Sequence, residues 1–128
     1  MSPQEKKQFL EEGFILRHGF LEPHRITVLK KQLEACLDQE AQKFADKNEK
    51  DRGLLLAAPI YGGAFLDLVS VEELFEPVNA LLGDTCIIHV YTSSSLPPHG
   101  KNYGNRIHHE RSDKYPDILD FIIIFILL

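Results

Sequence analysis

The last eight residues of the sequence, Phe121-Ile122-Ile123-Ile124-Phe125-Ile126-Leu127-Leu128, are all apolar. A run of β-branched and aromatic residues reads as a strand buried on both faces. Such a strand needs a packed layer above and below it and a hydrogen-bonded neighbour at each edge. No later residue of the 128 supplies these, so the expectation is a single domain that is the truncated amino-terminal portion of a larger one. Left open, an uncharged strand with no proline is an aggregation segment. The isolated chain is therefore expected to be poorly soluble or partly molten, and deletion of residues 121–128 to improve its solubility. The run is also too short to cross a bilayer, which takes about 20 apolar residues.

The first half follows a different period. Ser2-Pro3-Gln4-Glu5 has the form of a capping box, with proline at the first helical position and a helix running to about Glu12 before Gly13. Phe14-Ile15-Leu16 reads as a short strand, with Phe9 and Phe14 in the core. From Pro23 the apolar residues Ile26, Leu29, Leu33, Leu37 and Phe44 recur at spacings of three, four and seven, the stripe of a packed helix. Lys30, Lys31, Gln32, Glu34 and Asp38 cover its other faces. Residues 46–53 are a polar loop, and residues 54–60 are a strand or an irregular core segment. Ser70-Val71-Glu72-Glu73 repeats the capping-box pattern and opens a short helix that Pro77 interrupts before Gly83. Residues 85–92, Thr-Cys-Ile-Ile-His-Val-Tyr-Thr, carry the strongest β-propensity, and a turn-rich loop follows to Asn105. Helices over 3–12 and 23–45 and strands of one sheet over 84–93 and 118–128 give an α+β layout, amino-terminal helices buttressing a mostly antiparallel sheet.

Charge and cysteine usage narrow the setting. A net charge of −5 with no basic stripe argues against a nucleic-acid partner. The amino terminus lacks the apolar core of a signal peptide. Cys36 and Cys86, widely spaced among apolar neighbours, read as buried free thiols of a reducing compartment. The expectation is a cytoplasmic protein without a membrane partner.

The chemistry concentrates in His108-His109-Glu110. Residues i and i+2 of a strand share a face, so the His108 imidazole and Glu110 carboxylate can share a metal ion while His109 points away. They supply two of the three ligands of a 2-His-1-carboxylate iron site. No histidine follows Glu110. His99, with His108 and Glu110, offers a remoter zinc site suited to hydrolysis. His89, inside the apolar segment, reads as a satisfied core histidine, and Lys101 and Arg106 as solvated loop charges.

The order of these features resembles the phytanoyl-CoA dioxygenase family. The resemblance rests on Gly13-Phe14-Ile15-Leu16 after the first helix, Phe20-Leu21-Glu22-Pro23 before the long one, Leu81-Leu82-Gly83 before a strand, a loop rich in Ser, Pro, Gly and Lys, and His108-x-Glu110. It covers essentially the whole chain but only the front half to two thirds of the family's domain. It implies helices packed on an incomplete double-stranded β-helix, a jelly-roll or cupin-like sheet. It also implies iron(II) with 2-oxoglutarate as co-substrate and hydroxylation of a small organic substrate. His108 and Glu110 match the family's first two metal ligands, and Tyr91 and Ser93 its co-substrate strand. The chain departs from the pattern where the family mostly uses Asp in place of Glu110. It also lacks the distal histidine and the arginine that grips 2-oxoglutarate, which implies that these 128 residues are inactive alone. The alternative is a non-catalytic remnant or binding protein with a jelly-roll-like fold.

Overall fold

A computed structural model describes residues 1–43, 53–95 and 122–128 of the chain. Its elements run α1 (Pro3–Glu12), α2 (Pro23–Lys43), β1 (Leu54–Leu55), a 3-10 turn (Ala58–Tyr61), α3 (Gly63–Val69), α4 (Glu72–Leu82) and β2 (Ser93–Ser94). Four helices and a two-stranded antiparallel sheet make it mostly helical among the described residues.

Both ends of α1 form as its sequence dictates. The Ser2 hydroxyl accepts from the Glu5 amide at 3.1 Å, and the Glu5 carboxylate accepts from the Ser2 amide at 2.7 Å. Two of the first-turn amides, which have no partner inside a helix, are thereby satisfied. At the other end Gly13 takes the left-handed conformation, φ 82°, and its amide returns to the Phe9 carbonyl at 2.8 Å.

The long helix α2 organises the core. Leu29, Leu33 and Cys36 are buried, and Ile26 and Leu37 are half-buried beside them, so the apolar stripe faces inward as its period requires. Against it pack Leu55 from β1, Ala58 from the 3-10 turn, Phe65 and Leu68 from α3, and Leu21 from the segment before α2. Phe65 and Leu55 are each 1% exposed. A fully buried side chain of this size contributes roughly 1.5–3 kcal/mol through apolar area removed from water. Ile126, from the apolar run, also packs on this cluster.

β1 and β2 pair antiparallel, Leu54 opposite Ser94 and Leu55 opposite Ser93, and the Ser95 amide closes the ladder on the Gly53 carbonyl at 2.7 Å. Gly53 has φ 78°, and a Cβ there would lie 2.2 Å from the Ser95 carbonyl oxygen, so this approach admits only glycine.

Several elements differ from the sequence reading. Ser70 does not open α4: its amide closes α3 on Asp67 at 3.1 Å, and Val71 becomes the cap residue without a side-chain bond. Pro77 does not interrupt α4, which runs through it to Leu82. Residues 14–16 form no strand, and Phe14 is exposed rather than core, while Phe9 is half-buried. Of the strand expected over 84–93, only Ser93 belongs to a ladder, and residues 122–128 are in no regular element. High β-propensity prepares a backbone for pairing, but pairing itself depends on a neighbour supplied by the tertiary fold. Positions 44–45, Phe44 included, and residues 118–121 of the second expected strand lie outside the described residues.

Candidate functional site

The described part of the expected site is the segment ending in β2. Along residues 90–94 exposure alternates: Tyr91 and Ser93 are partly covered, whereas Val90, Thr92 and Ser94 are exposed. Period-two alternation puts Tyr91 and Ser93 on one face, turned toward the core. The β1 pairing fixes this register, with Ser93 opposite Leu55 and the Ala58 amide donating to the Tyr91 carbonyl at 3.0 Å. The Tyr91 ring meets Phe65 edge to face, centroids 6.4 Å apart and planes at 90°, the arrangement that sets a positive ring edge against a negative face. Burial raises the Tyr91 phenol above its ordinary 10.0.

Cys86 to Val90 continue the same segment toward solvent. Ile87 is 84% exposed and Val90 66%. His89 is exposed, not a core histidine as its apolar neighbours suggested. The Cys86 thiol lies 3.3 Å from Asn79 Oδ1 and Cys36 is buried; neither is in a disulfide. His99, His108, His109 and Glu110, with Lys101 and Arg106, lie outside the described residues. Among the described residues no group of three or more His, Cys, Asp or Glu is placed to hold a metal, and no helix is long and apolar enough to cross a membrane.

The floor beneath Tyr91 depends on a residue that the sequence reading placed on the outer surface. Gln32 Nε2 donates to the Gly62 carbonyl at 2.8 Å and to the Tyr61 carbonyl at 3.4 Å, and its Oε1 accepts from the Ala64 amide at 2.7 Å. The residue capping α3 is Gly62, which has no side chain, so Gln32 caps this helix from α2. A signal existed: Gln32 lies three residues after Leu29 and four before Cys36, on the buried stripe itself. Beside it the Tyr61 hydroxyl donates to Glu40 Oε1 at 2.5 Å. That bond, with desolvation second, pushes the Tyr61 phenol up to about 12.

A second polar centre joins α1 to α4. The Arg17 Nε donates to Glu5 at 2.9 Å, its Nη1 to the Glu73 carbonyl at 3.3 Å, and its Nη2 lies 3.6 Å from Glu76. The guanidinium also sits 5.9 Å from the Phe20 ring centre. The α-amino group of Met1 pairs with Glu76.

Compared with known proteins, the chain matches no family model, no curated protein and no solved structure.

Proposed function

We propose that the chain carries the amino-terminal part of an iron(II)- and 2-oxoglutarate-dependent dioxygenase, similar to the phytanoyl-CoA dioxygenase family, that hydroxylates a small organic substrate in the cytoplasm. The observation that carries the reading is the pair His108 and Glu110, placed in sequence after the two amino-terminal helices and the Tyr91–Ser93 segment in the order this family uses. The inward turn of Tyr91 and Ser93 and the helices packed behind them are compatible with a buttressed jelly roll. The unbridged cysteines fit a reducing compartment.

The donor set fits the metal. An imidazole nitrogen and a carboxylate oxygen suit divalent iron, and a third protein ligand on the same triangular face leaves positions open for other molecules. His108 and Glu110 would hold it, with Glu110 reaching one methylene further than Asp. Iron with 2-oxoglutarate supplies oxidative decarboxylation coupled to hydroxylation; the protein supplies binding and orientation. Ser93 would donate a hydrogen bond to a co-substrate carboxylate. Tyr91, a neutral phenol at physiological pH as any tyrosine is, would do the same without adding a repelling charge. Phe65 packs edge to face on the Tyr91 ring and holds its orientation.

The test is 2-oxoglutarate decarboxylation with iron(II) and ascorbate, run on the 128-residue chain and on a product extended through the downstream reading frame. The expected result is no succinate from the 128 residues, and turnover sensitive to His108→Ala from an extended product that adds a histidine and then an arginine. Positioning errors of about 1 Å can cost on the order of 100-fold in rate, so two ligands without the third give no measurable activity. Turnover by the 128-residue chain that His108→Ala abolishes would show the third-ligand argument to be wrong. A downstream frame encoding no such residues would remove the oxygenase reading.

A further inference from the structure

We propose that Arg17 is an ionic latch that couples the docking of α1 to the proline step inside α4. Three observations carry it. First, α1 has no buried residue. A ten-residue helix is too short to persist in water alone, since isolated helices shorter than about 12–15 residues are marginal. Its hold on the rest of the fold therefore rests heavily on two ion pairs, Glu5–Arg17 and that of the Met1 α-amino group with Glu76, and the first is only partly shielded, with side-chain exposures of 27% and 26%.

Second, α4 contains a defect at the place Arg17 touches. Pro77 has no amide hydrogen, so the Glu73 carbonyl four residues earlier has no donor within its own helix. Arg17 Nη1 supplies one at 3.3 Å. Third, the same planar group spans both partners and Glu76 at once. A guanidinium presents several donors in a fixed fork, so moving one end displaces the others. Release of α1 frees Arg17 to swing away, and the Glu73 carbonyl then turns to water, loosening α4 around Pro77. Glu5, Arg17 and Pro77 act as one unit at the edge of the Leu29–Phe65 core, which Phe20 under Arg17 and Leu74 of α4 adjoin.

Hydrogen exchange on the full chain tests this, with Glu5→Gln as the first variant because glutamine keeps the capping box. The expected result is a three- to ten-fold rise in exchange of α1 amides, roughly what losing one partly exposed charge-assisted bond produces. The α4 amides should rise about two-fold or more while those at Leu29 and Leu33 are unchanged. In a Pro77→Ala background, where residue 77 donates to Glu73 itself, the α1 response should persist and the α4 response vanish. Raising the salt from about 0.05 to 1 M should mimic Glu5→Gln in the wild type. An α4 that ignores Glu5→Gln, an α4 response that survives Pro77→Ala, or an equal rise across α1, α2 and α4 would each overturn the coupling.

Discussion

Replacing Gln32 with leucine tests how the floor under Tyr91 is held. The substitution nearly preserves volume and helix propensity, so its cost reports hydrogen bonding. It orphans the Ala64 amide at the start of α3, which the glycine cap cannot recover, and it strips the Gly62 carbonyl of a 2.8 Å donor. A lost cap costs about 1 kcal/mol and a lost bond to a part-buried carbonyl about as much. The Tyr61 contact at 3.4 Å is too long to add a full bond. The sum is about 2 kcal/mol, or roughly 8 °C in Tm for a chain of this length. Gly63 sharpens the test, because a Cβ there would lie 2.6 Å from Gln32 Oε1 at a φ of 54°. Gly63→Ala should destabilise strongly with Gln32 present and less in a Gln32→Ala background, a coupling of about 1 kcal/mol in a double-mutant cycle. Urea unfolding of the wild type, Gln32→Leu and the three variants of the Gln32→Ala/Gly63→Ala cycle gives all the required free energies. A Gln32→Leu cost below about 0.5 kcal/mol, or strict additivity with Gly63→Ala, would refute the capping argument.

Three further outcomes follow from the same contacts. The Arg17 bond holds the Glu5 carboxyl down to about 2 from an ordinary 4.5, so its stabilisation is complete above pH 4.5 and is lost as pH falls through 2; the urea-midpoint difference between wild type and Glu5→Gln should be flat above that window and close within it. Tyr61, raised to about 12 by Glu40, contributes stability fully present below pH 10 and lost as pH rises through 12; ultraviolet titration should show its phenolate step moving down toward 10 in Glu40→Ala. Phe125 and Leu127 are 80% and 87% exposed while Ile126 packs on the core. The double change Phe125→Lys, Leu127→Lys should therefore raise the monomeric fraction in size-exclusion chromatography, whereas Ile126→Ala should lower Tm by a few degrees.

The Ile126 contact also refines the deletion suggested by sequence: removing all of 121–128 would discard a core side chain along with the exposed ones. What was legible in the sequence was what is encoded locally. Ser2 and Glu5 lie within one turn of each other, and the stripe from Ile26 to Leu37 repeats within one helix, so both could be read directly. α3 could not, because seven residues that begin at the second of two glycines hold too few turns to show a period, and the helix is capped from Gln32, some thirty residues away. Ser70 misled for a related reason: the same Ser-x-x-Glu pattern can start one helix or end the previous one, and α3 decides which. The inward face of residues 90–94 was undetermined because a one-residue shift in register exchanges the two faces. Only the pairing of Ser93 with Leu55 settles it. The His-x-Glu pair was visible as a motif of two residues.

The central claim is that His108 and Glu110 form a metal-binding pair. It is tested most directly by titrating the 128-residue chain with iron(II) under anaerobic conditions while following its histidine imidazole resonances. The claim predicts weak, saturable broadening centred on His108, abolished by either His108→Ala or Glu110→Ala, with His109 and His89 unaffected until excess metal. Broadening that survives both substitutions, or that centres on His109 or His99, would contradict it.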